Sequence, residues 1–424
     1  MKAAKMTDSK QYLTINTLIF IFGTICPRNV VQSQNYTQEN GASMVFKFAN
    51  VQYEWPNDDA KNKAILSGEY ILENNILTGI KVFRDDVYVT VPRWRPGVPS
   101  TLNVVRWDGV LRPFPSWSMN KLGDCNSFQY VQSMEVDPNT GYMWAIDVGR
   151  VDTRADGLSP RNLCPPKLVV LDIASGNVVM RYEFPDSVVS HTSNFMNDIV
   201  LDYVDGEARF AYTTDTFDVK IIVFDVAKKI SYYYHHESMR AQPLIPGVQD
   251  DLFVTVAVDG IAITGDFQHV YYCALPSLDI FAVPTSTLRH SGSNFASDVV
   301  HVGKKAGGTD GMVCGQRSLF YGVLERNAVY KTSTDTCCTN FSLATQSEVA
   351  KNDDYMKWVD TMAFNGTDLW FLANKIMIFA QNQIDFSGRD ENIFIWRVPV
   401  GEQGYLWRAK DRTRRRTDPF VIIG

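Results

Sequence analysis

Six times along the chain an alternating apolar–polar run meets a tight polar turn and returns as a second alternating run. Turn and return read RDD-VYVTV from Arg84, NTG-YMWAI from Asn139 and GEAR-FAYTT from Gly206. The series continues with FQH-VYYCA from Phe267, QRS-LFYGV from Gln316 and GTD-LWFLA from Gly366. A period of two is the signature of strands with one face packed against a neighbour. Tyr88, Trp144, Ala211, Tyr271, Phe320 and Trp370 hold matching positions, 49 to 67 residues apart, a spacing that suits four-stranded blades with loops of variable length. A third strand follows at Lys167, Lys220, Asp279 and Ala328, and helical periodicity is confined to a short stretch at Asp58–Ile65. The pattern predicts an all-β chain folded as a six-bladed β-propeller. A strand near Met44–Glu54 is expected to join the last blade and close the ring, leaving no open edge.

The first strand of each repeat carries two apolar residues spaced by two, and two residues earlier stands a polar one. These are Thr78, Gln132, Asn197, Asp259, Asp310 and Asp360. First strands line the channel of a propeller, so the six are expected to converge at one mouth. The returning strands end at the same mouth, with Arg93-Trp94-Arg95, Asp147 with Arg150, Asp215 with Asp218, and Glu325. A concave mouth with convergent polar groups and an aromatic rim is where a small molecule binds. The competing reading is structural, because Asp and Asn also start strands by bonding loop amides.

The N-terminal segment changes the picture of where the protein works. Lys2, Lys5 and Lys10 precede the apolar run Leu18–Phe22, which is too short to span a membrane and suits a signal peptide. The expected organisation is a signal peptide over residues 1–33, a propeller over 34–408 and a basic tail over 409–424. Secretion also agrees with sequons at Asn35, Asn340 and Asn365, and with the six cysteines beyond Cys26. Cys125 with Cys164 is the first expected disulfide and Cys273 with Cys314 the second. Cys337 and Cys338 are adjacent and have no assigned pairing. A net charge of −6 gives no basic footprint for nucleic acid, and no later apolar run calls for a membrane.

The run VTVPRWRPGVPSTLN from Val89 resembles the signature of the insect yellow and major royal jelly proteins. Further matches include YEWPNDDAK from Tyr53, QYVQSMEVD from Gln129, MWAIDVGRVD from Met143, NLCPPKLVVLDI from Asn162 and DGIAITGDFQHVYYCAL from Asp259. The chain departs from that pattern at Val313-Cys314, after the TDGM run, and at Lys331-Thr332, where the family has a Cys-Trp pair. The resemblance covers roughly residues 46–400 and implies the six-bladed propeller read above. It also implies a choice of functions: melanin formation and pigmentation, dopachrome isomerisation, binding of serotonin and related amines, or nutrition.

Local chemistry narrows the choice. The chain has no G-x-S-x-G elbow, no H-E-x-x-H helix and no phosphate loop. His235-His236-Glu237 looks like a metal site, but neighbouring strand residues face opposite ways. The favoured reading is a protein binding small catechol or indole amines: Asp259, Asp310 and Asp360 face the ammonium and Trp94 stacks on the ring. The alternative is a dopachrome-converting isomerase in which one carboxylate takes a carbon-bound proton and Arg93 or Arg95 stabilises the developing phenolate. No cofactor is expected; calcium held by Asn197, Asp259 and Asp310 is a third, weaker idea.

Overall fold

A computed structural model describes residues 38–39, 41–241, 256–334 and 345–408, all within the unit Gln34–Gly424. The expected signal peptide, Asn35, Asn340, Cys337, Cys338 and the basic tail lie outside the described residues.

Alternation is realised as five four-stranded antiparallel sheets and a sixth in which the two-residue strand Gln38–Glu39 adds a fifth strand; these form the blades of a six-bladed β-propeller. The inner strands are Ile80–Phe83, Val131–Asp137, Met196–Val204, Val258–Ile263, Met312–Cys314 and Val359–Asn365, for blades 1 to 6. Five of the six aligned positions are equivalent in register: Tyr88 opposes Lys81, Trp144 opposes Glu135, Tyr271 opposes Ala262, Phe320 opposes Val313 and Trp370 opposes Ala363. In blade 3 the equivalent residue is Tyr212, opposite Val200, and not Ala211. Their rings are buried between blades, where flat side chains fill the wedge between neighbouring sheets.

Ring closure follows the expected route with a shorter strand. Ala42–Phe48 pairs antiparallel with Ile393–Pro399 of blade 6, Met44 opposite Trp396 and Lys47 opposite Phe394. The strand stops at Phe48 rather than Glu54 because the chain then crosses to blade 1. There Tyr53 forms a parallel bridge with Leu111, and Leu111 N–H donates to the Gln52 carbonyl at 2.8 Å. One segment thus ties the last blade to the first. The helix read at Asp58–Ile65 is present as Asp58–Ser67; Asn57 caps it by accepting from the Ala60 N–H at 2.8 Å, and Gly68 ends it at φ 75°. No helix among the described residues is long and apolar enough to cross a membrane.

Cys125 and Cys164 form the first expected disulfide, with Cα atoms 5.4 Å apart. It closes a loop over a separation of 39 residues, a length for which chain entropy gives up to about 4 kcal/mol. Cys125→Ser with Cys164→Ser should cost about 2–4 kcal/mol in denaturant unfolding, and an unchanged midpoint would contradict that. The second expected pairing does not form. Cys273 and Cys314 are both buried and are not bonded to each other. They sit at different heights of the channel: Cys273 lies near Asp259 and Lys305, while Cys314 shares the lower channel with Tyr405. Occupying neighbouring repeats did not put them at one level.

Candidate functional site

Each ring residue sits where the regular ladder of its inner strand fails. In blades 2, 3, 4 and 6 the register shifts between Val131 and Met134, Met196 and Ile199, Val258 and Ile261, and Val359 and Met362. Gln132, Asn197, Asp259 and Asp360 fall inside those irregularities. Such a bulge frees the side chain from the sheet's alternation and re-aims it. In blades 1 and 5, Thr78 and Asp310 lie just before the strand begins.

Glycine follows three of the ring positions, Thr78, Asp259 and Asp310, and the structure shows why at the last two. A Cβ on Gly260 would stand 2.5 Å from the Asp310 carbonyl oxygen, and one on Gly311 would stand 2.1 Å from the Asp360 carbonyl oxygen. Backbones of blades 4, 5 and 6 therefore approach closely, and this draws the three aspartates together. Elsewhere threonines stitch the same level: Thr90 Oγ1 donates to the Gln132 carbonyl at 2.9 Å, Thr214 Oγ1 to Asp259 at 2.8 Å and Thr361 Oγ1 to Thr78 at 2.8 Å.

Five of the six ring residues, Gln132, Asn197, Asp259, Asp310 and Asp360, line one cavity at the upper mouth, together with Trp94. Thr78 does not reach it; its hydroxyl lies 3.3 Å from Thr90 Oγ1. The cavity is about 30 Å³, room for one or two waters or an ammonium group. Trp358 Nε1 donates to Asp310 Oδ2 at 2.5 Å and Asn374 Nδ2 to Asp360 Oδ2 at 2.8 Å. Asp259 Oδ1 is buried and accepts no hydrogen bond, an atom whose desolvation is uncompensated.

Electrostatics follow from three buried carboxylates at one level. Burial pushes Asp310 up to about 7, with Asp198 below adding to the shift. Asp259 and Asp360 are also raised well above the usual carboxylate range, first by burial and then by Asp310. Below neutral pH the cluster therefore holds protons, and a cation entering it would displace them.

The sequence reading missed Arg154, the cation of this cavity. It stands on the loop after the second strand of blade 2, between the short pair Arg150–Val151 and Arg161–Asn162. That loop is fastened across blade 1: Asp152 N–H donates to the Arg93 carbonyl at 2.8 Å and Arg154 N–H to the Trp94 carbonyl at 2.9 Å. The guanidinium lies 5.2 Å from the Trp94 ring centre and 5.4 Å from that of Phe195. Burial lowers its pKa, while Asp259 and Asp310 oppose that fall. Phe195, two residues before Asn197, was legible as a neighbour of the ring and also lines the cavity.

The remaining expected residues lie away from the cavity and serve the fold. Arg93 spends its guanidinium on five backbone carbonyls, of Val98, Phe128, Gln129, Pro99 and Asn120, at 2.6–3.0 Å. Arg95 donates to the Phe379 carbonyl at 3.0 Å and lies 4.3 Å above that residue's ring. Asp147 accepts from the Gln129 and Tyr130 amides at 2.8 and 2.9 Å and pairs with buried Lys167 at 2.8 Å. Asp215 repeats that cap on the Phe195 amide at 2.9 Å. Arg150 holds Asn162 Oδ1 and the Asn194 carbonyl, each at 2.8 Å, and Glu325 accepts from the Gly308 amide at 2.9 Å. A charged residue at a strand exit was read as ligand-facing, but loop amides and carbonyls claimed it.

His235 and His236 are likewise occupied locally, with the Val219 carbonyl at 2.6 Å and Ser238 Oγ at 2.9 Å. Among the described residues no three His, Cys, Asp or Glu side chains converge at metal-ligand spacing. Asn365, the one sequon asparagine in the described residues, is half-buried at a turn, its Nδ2 donating to the Arg84 carbonyl at 3.0 Å.

The family profile of the major royal jelly proteins matches residues 130–404. Protein yellow of Drosophila melanogaster is 25% identical over 383 residues, covering 84% of this chain and 68% of that one. Protein yellow of Drosophila guanche is 24% identical over 414 residues, covering 91% and 69%. Among solved structures, a luciferin-regenerating enzyme aligns at a TM-score of 0.46 with 14% identity, covering 78% of this chain and 93% of that one. With its family profile matched over more than half its length and yellow proteins aligned along most of it, the chain belongs to the major royal jelly protein family.

Proposed function

We propose that this protein is a secreted propeller that binds small aromatic amines, of the catechol or indole class, at the upper mouth. The observation that carries this reading is the convergence of Asp259, Asp310 and Asp360 on one cavity in which Arg154 is the one cation among the described lining residues, with Lys305 behind Asp259. As they ionise, the three carboxyls outnumber the guanidinium and favour a further cation, and Asp259 Oδ1 has acceptor capacity to offer it. The 30 Å³ cavity takes the ammonium. The ring lies outward against Trp94 and Phe195, where exposed Phe217 packs 4.8 Å from the Phe195 ring and extends the aromatic surface. Secretion rests on the N-terminal apolar run, the sequons and the disulfide.

A second reading is favoured by Asp310 and Arg154 together. A carboxyl near 7 beside a buried guanidinium suits proton abstraction from a dopachrome-like quinone, with Arg154 stabilising the developing phenolate. One panel separates the two: purified protein is titrated with dopamine and serotonin by calorimetry, and dopachrome colour is followed in parallel. Saturable amine binding without colour loss supports the binding protein. Colour loss abolished by Asp310→Asn supports the isomerase, and neither response sinks both.

Arg154→Ala distinguishes them further. Removing the competing cation should tighten amine binding several-fold if the site only binds, whereas an isomerase should lose turnover. Unchanged amine affinity would place Arg154 outside the site.

A further inference from the structure

The channel has a second mouth, and its contents differ from those of the first. At the lower ends of the inner strands of blades 1, 2 and 6 lies a cavity of about 250 Å³. One wall is the segment after the last strand. Gln316 N–H donates to the Gln403 carbonyl at 3.0 Å, Tyr405 N–H to the Cys314 carbonyl at 3.1 Å and Asn139 Nδ2 to the Leu406 carbonyl at 2.7 Å, which fixes that segment across the channel. Most of the lining is apolar, with Phe83, Phe364 and Leu406 inside and Trp407, 41% exposed, at the edge.

Charge in this cavity is of the opposite sense to the upper mouth. The charged side chains lining it are Lys81, Arg84 and Glu135, and Asp198, above them in the channel, also interacts with Lys81 but is held toward its neutral form by burial. Glu135 is already satisfied: it accepts from Tyr405 Oη at 3.0 Å and the Val136 amide at 2.9 Å, and it pairs with Lys81 at 3.4 Å. Lys81 donates to Glu135 and to the Met362 carbonyl at 3.2 Å. An ammonium has three N–H donors, so one is left to a ligand. Arg84 adds a second positive charge at the rim, 5.0 Å from the Phe83 ring centre.

We infer that the lower mouth is a separate binding site for a small amphiphilic carboxylic acid, its apolar body against Phe83, Phe364 and Trp407 and its carboxylate on Lys81. Volume and charge both argue for this class. At about 250 Å³ the cavity stands just below the roughly 300–1,000 Å³ of small-molecule pockets, which suits an apolar body of medium length, and the charged side chains that line it, Lys81 and Arg84 against Glu135, leave an excess of one positive charge. The upper mouth, with its carboxylates, would repel the same molecule.

Decanoate, decanol and decylammonium serve as probes of equal length, read by Trp fluorescence and calorimetry on the full chain. Decanoate is expected to bind at one per chain, at least tenfold tighter than decanol and tighter still than decylammonium. Lys81→Met should erase the preference for decanoate over decanol, Lys81→Arg should keep it, and exposed Trp407→Ala should weaken both ligands. Should Lys81→Met fail to fold, the Lys81→Arg and Trp407→Ala results still decide. Asp310→Asn and saturating dopamine should leave decanoate binding unchanged, because they address the other mouth. No decanoate binding, binding without preference for the acid, or displacement by dopamine would overturn the inference. So would binding that appears only in a chain ending at Arg408, which would assign the cavity to the tail.

Discussion

Asp310→Asn is expected to weaken dopamine or serotonin binding roughly 10- to 150-fold at pH 8, the loss of a charge-assisted contact of about 1.5–3 kcal/mol. The substitution keeps the shape, and the Asn carbonyl can still accept from Trp358 Nε1. Stability should move the other way. The folded state holds Asp310 near 7, above its value of about 3.8 in the unfolded chain. Wild-type stability from this group is therefore lost as pH rises from about 4 to 7, since the unfolded chain gives up its proton first. The variant has no such loss and should melt at or above wild type at pH 8. A lower melting temperature with amine affinity intact would mean that Asp310 only starts a strand.

Gly311→Ala should be the most damaging single substitution in the ring, at about 3 kcal/mol, the upper end for overpacking. Its Cβ would lie 2.1 Å from the Asp360 carbonyl oxygen and 2.8 Å from Thr361 Cα. Both are backbone atoms of the neighbouring blade, so relief requires the blades to separate. Gly79→Ala is the natural comparison, because there the first obstacle is the Thr90 side chain at 2.4 Å, and it should cost less. Amine affinity should fall with Gly311→Ala even where the protein stays folded, since Asp360 moves out of the cluster. Equal melting temperatures for the two variants would show that the close approach does not hold the aspartates together.

The blades were legible because alternation, turn and aromatic recur in one order, and register then places Tyr88, Trp144, Tyr271, Phe320 and Trp370 at equivalent points. The ring was legible for the same reason: its residues keep a constant offset from an apolar pair. That offset hid the bulges, which are visible only as a polar residue followed by Gly, Ser, Asp or Thr. Arg154 was not legible. Its place depends on where a loop from blade 2 crosses blade 1, set by bonds to the Arg93 and Trp94 carbonyls, and no periodicity records such a crossing. Arg93 was misread for a related reason, since sequence shows a cation at a strand exit but not the five carbonyls around it. Cys273 and Cys314 failed as a pair because repeat number gives the blade, while pairing also needs the height.

The amine site at the upper mouth is tested most directly by calorimetry of serotonin across pH 5.5 to 8.5, in two buffers of different ionisation enthalpy. Over this range the ligand stays cationic, and Asp310 passes from protonated to ionised near 7. Affinity should rise with pH as Asp310 ionises, and binding at pH 6 should release protons to the buffer. Affinity that is flat or falling across this range, or binding with no proton released at pH 6, would contradict a carboxylate cluster as the seat of the amine.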